Sequence, residues 1–169
     1  GLRRFTVSMA GKPKLRVGIF SFTGDEGCVI TFLEVLNYKF FEWKDKIDLV
    51  YARTLRSKND LTNLDVAFVE GAISTPLEEA KLKEIRANSK VVVAIGTCAI
   101  NGLPSAQRNN FPDELKKEIT PLVQLLGQFE RMKAPTEIIK VEETVPGCPM
   151  LETSFVQAME KYIKQWEGT

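Results

Sequence analysis

The chain has 169 residues, of which 44% are hydrophobic and 27% charged, with a formal net charge of +1. That length suits one domain with a sizeable core, and the near-neutral balance implies no nucleic acid partner and no general attraction to anionic membrane. No apolar run approaches the roughly 20 residues of a membrane span. Histidine is absent, which removes Ser-His-Asp and Cys-His nucleophiles, His-ligated zinc catalysis and imidazole proton shuttles.

Residues 1–14 read as a basic arm, with Arg3, Arg4, Lys12 and Lys14 and no acidic side chain. Arg3-Arg4-Phe5 imitates a twin-arginine export signal. However, Phe5 to Ala10 includes Thr6 and Ser8 and then meets Gly11-Lys12-Pro13-Lys14, which is not an apolar h-region with a cleavage site. Three cysteines are an odd number for a disulfide framework and fit a reducing compartment, so a cytoplasmic location is expected.

Residues 15–169 read as a single α/β domain. Leu15 to Phe22 predicts a buried strand that ends in the turn Thr23-Gly24-Asp25-Glu26-Gly27. From Cys28 the pattern turns helical, with Val29, Ile30, Phe32, Leu33, Val35 and Leu36 spreading apolar character around most of the circumference. Such a helix is either the central helix of the domain or is covered by a second subunit. Strands follow at Ile47–Ala52 and at Asp65–Glu70, the latter closed by Gly71. Pro76 to Ala87 predicts a helix: Thr75 caps it, Pro76 suits its first position, and Glu78 and Glu79 occupy its first turn. Lys90 to Gly96 is an uninterrupted apolar strand of the kind parallel sheets bury on both faces. After a polar segment come a helix from Asp113 to Leu126, a weaker strand at Ile138–Val141, and a last helix from about Leu151 to Trp166. Strands alternating with helices predict a flavodoxin-like, doubly wound, mostly parallel sheet with helices on both faces.

Each cysteine follows a predicted strand. Cys28 follows the first, Cys98 the run ending at Ile95, and Cys148 the last, and each has a glycine one or two positions before it: Gly27, Gly96 and Gly147. Parallel strands bring their carboxyl ends to one edge, so these distant thiols are expected to converge there. Glycine permits unusual backbone angles and close approach to a ligand, and backbone N–H groups in such turns can face anionic sulfur. The alternative is three cysteines that only pack as small buried hydrophobes. If they bind metal, structural zinc is disfavoured because no C-x₂₋₄-C pair is present, whereas iron–sulfur cubanes take thiolates from distant loops.

At these loops the sequence resembles the [NiFe]-hydrogenase small-subunit family, related to the 20 kDa-type subunit of respiratory complex I. The resemblance rests on Gly96-Thr97-Cys98, on Pro146-Gly147-Cys148-Pro149, and on Val69-Glu70-Gly71-Ala72-Ile73, and it covers about Leu15 to Lys161. It implies one [4Fe–4S] cluster held by Cys28, Cys98 and Cys148, with Gly96 and Gly147 lining it and Glu70 near it. Where the family has C-x-x-C, this chain has Asp25-Glu26-Gly27-Cys28, so Asp25 stands at the missing cysteine's position. A carboxylate can replace a thiolate on iron and is harder and less electron-donating. It would make the redox potential pH-dependent wherever the oxygen protonates or leaves the iron. Glu26 or solvent are the other candidates, and Asp25 as a helix cap is the structural alternative.

Cys98 to Asn109 resembles the short small subunits of soluble NAD(P)-linked hydrogenases. The resemblance then implies an electron-transfer subunit without a complete active site of its own. The nickel–iron centre would lie on a large subunit and the flavin on a diaphorase-type partner. Glu70 would pass protons or bond a neighbouring subunit, or else be a solvated strand end. Gln107 and Arg108 would line the subunit contact, or else be plain surface. The alternatives are a subunit of a complex I-like or sulfur-reducing assembly, or a metal-free flavodoxin-like interaction module.

Overall fold

The computed structural model describes residues 14–23, 27–52, 63–101, 107–129, 131–147 and 150–168. Of the basic arm expected over 1–14, only Lys14 lies among them.

The elements run β1 (Leu15–Ser21), α1 (Gly27–Trp43), β2 (Ile47–Ala52), β3 (Leu64–Glu70), α2 (Pro76–Ala87), β4 (Ser89–Ile95), α3 (Thr97–Asn101), a 3₁₀ turn (Gln107–Asn110), α4 (Asp113–Leu125), α5 (Pro135–Ile138), β5 (Glu143–Val145) and α6 (Glu152–Glu167). The strands form one sheet in the order β2-β1-β3-β4-β5, and every ladder is parallel. This is the flavodoxin-like order of a doubly wound fold.

Side chains alternate across the sheet, and each face buries its own half. On one side Val17, Ile19, Val66, Phe68, Val93 and Ile95 meet Phe32, Val35 and Trp43 of α1 and Phe155 and Met159 of α6. On the other, Phe20, Ala67, Val69, Val92 and Ala94 meet Leu82 and Ile85 of α2 and Ala99 of α3. α6 turns Phe155, Ala158, Met159, Tyr162 and Ile163 inward, the i, i+3, i+4, i+7, i+8 stripe of an amphipathic helix. Phe155 joins α1 to the sheet, with its ring 5.2 Å from Phe32 and 5.1 Å from Phe68, within the range of favourable edge contacts.

The wide apolar surface of α1 is only partly used by this chain. Phe32 and Val35 are fully buried, while Ile30, Leu33, Phe40 and Phe41 are exposed. Thr75 caps α2 as read, its hydroxyl accepting the Glu78 N–H at 3.1 Å.

The strand expected at Ile138–Val141 is displaced. Pro135 opens a helical turn there, whose Glu137 carboxylate accepts the Ala134 N–H at 2.9 Å. Ile138, Ile139 and Val141 pack as partly buried residues against the α2 face. Pairing with β4 begins only at Glu143, because Glu142 satisfies Val92 from both sides. Its N–H donates to the Val92 carbonyl at 2.9 Å, and its carboxylate accepts the Val92 N–H at 2.6 Å. The same carboxylate accepts Arg86 Nη1 of α2 at 2.8 and 2.9 Å. One residue later, Glu143 accepts Lys161 Nζ at 2.8 Å and the Tyr162 hydroxyl at 2.7 Å, tying α6 to β5.

Burial, the largest single influence on the Glu142 carboxyl, pushes its pKa up, but the Val92 N–H and the Arg86 guanidinium together hold it below the ordinary value. A depressed carboxylate pKa stabilises the fold above the unfolded pKa, and that contribution is lost as pH falls through the folded value. Glu142→Gln is therefore expected to cost about 0.5–1 kcal/mol near neutral pH, since glutamine keeps an acceptor for the Val92 N–H and the pair with Arg86 is screened by solvent. In thermal melts, the gap between variant and wild type should close as pH falls below the ordinary carboxylate range; a gap that persists in acid would show that the charge is not what matters.

Candidate functional site

Four of the five parallel strands finish in line. Ser21 stands opposite Glu70, Glu70 opposite Ile95, and Ile95 opposite Val145. The loops that follow therefore leave the sheet side by side, on the carboxyl edge where open α/β sheets bind ligands.

Cys28, the second residue of α1, turns its sulfur into the space above Gly96. A Cβ built on Gly96 would lie 2.5 Å from Cys28 Sγ and 3.4 Å from the Gly147 carbonyl oxygen. Gly96 has φ +79° and Gly147 φ +117°, a region that favours glycine. The Met150 N–H donates to Cys28 Sγ at 3.4 Å, so the loop between β5 and α6 closes on the same sulfur. That loop is fixed in turn to the one after β4: the Gly96 N–H donates to the Val145 carbonyl at 2.7 Å and the Thr97 N–H to the Gly147 carbonyl at 2.9 Å. Cys98 follows in the first turn of α3, whose end is held by the Thr136 hydroxyl donating to the Ile100 carbonyl at 2.6 Å. Cys28 and Cys98 are both buried, at 8% and 9% exposure.

Cys148 and Asp25 lie outside the described residues, as does Glu26. Among the described residues no three Cys, Asp or Glu side chains converge as a metal-binding group. The two described candidates, Cys28 and Cys98, are buried free thiols, the donor type that a thiolate-bound cluster would take. One sulfur occupies the volume a side chain at Gly96 would fill, and a backbone N–H is aimed at it, as anionic sulfur requires. A solvated strand-end role for Glu70 is corrected by its 4% exposure; it accepts the Ser21 hydroxyl at 2.7 Å. Gln107 falls in the 3₁₀ turn with Arg108.

Sequence reading missed the attachment of the β1 loop to the β3 loop. Thr23 and Ala72 exchange backbone hydrogen bonds of 3.0 and 2.7 Å. Gly71, at φ +86°, lets the chains meet, since a Cβ there would stand 2.8 Å from the Thr23 carbonyl oxygen. Beside this bridge Thr23, Ser74 and Glu78 share a cluster of side-chain hydrogen bonds. The signal was three polar residues with no motif spacing.

Comparison with known proteins adds relatives to this geometry. The family described as "NADH ubiquinone oxidoreductase, 20 Kd subunit" matches residues 26–162. A vhu subunit of the F420-non-reducing hydrogenase of Methanocaldococcus jannaschii is 33% identical over 149 residues, covering 80% of this chain and 51% of that protein. The NAD-reducing hydrogenase HoxS subunit delta of Cupriavidus necator is 25% identical over 154 residues, covering 80% of this chain and 72% of that protein. The chain thus spans about half the length of the vhu protein it matches. Its fold is shared with a chain of the NAD+-reducing [NiFe]-hydrogenase in the H2-reduced state, with a TM-score of 0.73, 22% identity, and coverage of 90% of this chain and 93% of that one.

Gly96→Ala tests the close approach of the sulfur. It is expected to cost more than the roughly 1–3 kcal/mol of a left-handed non-glycine residue, because the new methyl must also displace Cys28 Sγ. Gly127→Ala is the control, with φ +67° and nothing within 4 Å of its Cβ. Equal losses in thermal melts of the two variants would show that the Cys28 sulfur does not rest on Gly96.

Proposed function

This chain belongs to the NADH ubiquinone oxidoreductase 20 kDa subunit family, and from that premise we propose that it is the electron-transfer small subunit of a [NiFe]-hydrogenase-type complex. Cys28, Cys98 and Cys148 would hold one [4Fe–4S] cluster, with Asp25 as the fourth ligand. When bound, the cluster supplies one-electron acceptance and donation; the protein fixes its position and tunes its potential through ligand type, hydrogen bonds to sulfur and burial.

The observation that carries this reading is the seat of Cys28 Sγ. It rests against Gly96, two residues from Cys98, and accepts a hydrogen bond from Met150 N–H, two residues from Cys148. Packing alone does not call for a thiol at the meeting point of three loops, and an aliphatic side chain could not accept that N–H.

The nickel–iron chemistry would belong to a large subunit, and further transfer to a diaphorase-type module with flavin and NAD(P). Exposed Ile30 and Leu33 of α1, one turn or so beyond Cys28, and Leu151 beside Met150 supply an apolar rim suited to a protein partner. No helix among the described residues is long and apolar enough to cross a membrane, and three thiols suit a reducing compartment such as the cytoplasm.

A second reading keeps the cluster and changes the partner to a complex I-like or sulfur-reducing assembly; the description of the matched family favours it. The co-purifying large chain decides between them, since a hydrogen-active one needs paired C-x-x-C motifs for nickel.

Anaerobic purification should yield about four iron and four acid-labile sulfide per chain, and Cys28→Ser should lose most of both. Iron-free protein prepared without oxygen would end the proposal. Asp25→Cys should keep the cluster and lower its midpoint potential, because thiolate donates more electron density than carboxylate. A potential identical to wild type would remove Asp25 from the ligand set.

A further inference from the structure

α1 carries apolar side chains on two opposite faces, and this chain covers one of them. Phe32, Val35 and Trp43 are buried in the core formed with the sheet and α6. On the other face Ile30, Leu33, Asn37, Phe40 and Lys44 recur at alternating steps of three and four, the seam spacing of a helix pair. Ile30, Leu33 and Phe40 are each more than half exposed, and Phe41 beside them is 81% exposed. Lys44 prolongs the seam just past the helix, since its N–H still donates to the Phe40 carbonyl at 2.9 Å. The seam from Ile30 to Lys44 is about 21 Å long. Near its far end a cavity of about 240 Å³ opens between Leu36, Phe40 and Trp43 of α1 and Ile47 and Leu49 of β2, room for one large apolar side chain. Charges follow the same division. Lys39 pairs with Glu42 and with Glu160 of α6 at 3.1 and 3.2 Å, and Lys46 with Glu167 at 3.4 Å. Glu34 and Lys44, which border the exposed seam, make no ion pair among the described residues.

We propose that the outer face of α1 seats one amphipathic helix of the large partner subunit, laid antiparallel to α1. The inference rests on that part of the proposed function which gives this chain a large partner, and it names the element that holds the two together. A helix lies in an apolar groove through side chains at i, i+3 and i+7, and the spacing of the seam supplies the matching positions. One of the partner's apolar side chains fills the cavity beside Phe40. Charge sets the direction. Glu34, near the start of the seam, calls for a basic residue, and Lys44, at its end, for an acidic one. A helix that begins acidic and ends basic suits its own dipole, and it meets both charges when it runs opposite to α1. Asn37 stands midway, where one polar side chain in an apolar seam fixes the register. The seam starts two residues after Cys28, so the same helix reaches the carboxyl edge of the sheet. A second copy laid antiparallel would instead carry its own Cys28 to the Lys44 end, roughly 25 Å away, and leave both edges facing no other redox centre.

The test uses the native complex, purified anaerobically through a tag on this chain. The photoreactive amino acid p-benzoylphenylalanine replaces Phe41, which keeps a ring at that position, or in a control replaces Leu125 of α4, itself 83% exposed. Cross-linked peptides are located by mass spectrometry. Phe41 should mark one segment of the large chain, apolar at i, i+3 and i+7 and acidic in its first turn, and Leu125 should not mark it. Cross-links from Phe41 to a second copy, to another chain, to a segment without that pattern or to nothing overturn the proposal, as does the same segment marked from Leu125. Lys44→Glu should weaken retention of the large chain about 10-fold on dilution, and reversing the marked acidic residue to lysine should restore it. Unchanged retention, or a loss that the reversal does not repair, overturns the antiparallel pairing. Iron per chain is read on the same samples. Full iron without the cross-link overturns this inference and leaves the cluster reading, and iron-free protein that cross-links as expected does the opposite.

Discussion

Parallel pairing imposes a direction on this molecule. Strands that run the same way finish the same way, and the in-register ends at Ser21, Glu70, Ile95 and Val145 put four loops on one line without any local sequence signal linking them. Everything at the rim follows from that alignment. Cys28 and Met150 are separated by more than a hundred residues in the chain, yet they share one hydrogen bond because the sheet has already brought their elements together.

Two kinds of fastening hold the rim. Between β4 and β5 the ties are backbone to backbone, and left-handed glycines at 96 and 147 let main chain and sulfur approach at distances no side chain would allow. Between β1 and β3 the tie is mixed, a short antiparallel bridge reinforced by hydroxyls converging on a carboxylate. Backbone ties tolerate most side-chain changes; a carboxylate hub does not, since removing it leaves the Ser74 donors without their shared acceptor.

The parts legible in the sequence were those where one physical requirement dominates. β4 could be read because a strand buried on both faces must be continuously apolar, as Val91 to Ile95 are. α2 could be read because Thr75, Pro76 and Glu78 each suit a helix start for a separate reason. β5 was misplaced because the stronger apolar run, Ile138 to Val141, is spent on packing against the α2 face, and the pairing strand is the polar Glu143-Thr144-Val145. The approach of Cys28 to Gly96 and Met150 followed from topology. The Thr23–Ser74–Glu78 hub did not, because contacts spanning fifty residues between ordinary polar side chains leave no periodic trace.

The uncovered side of α1 has a thermodynamic consequence. Phe41 is 81% exposed and Phe40, Ile30 and Leu33 are each more than half exposed, so this helix meets water with apolar surface that folding of the chain alone does not hide. Any neighbour that seats there only when the helix is formed adds its association free energy to that of folding, by mass action. The melting point of such a chain is then a property of its concentration relative to that neighbour, and a value taken on the lone polypeptide sets a floor.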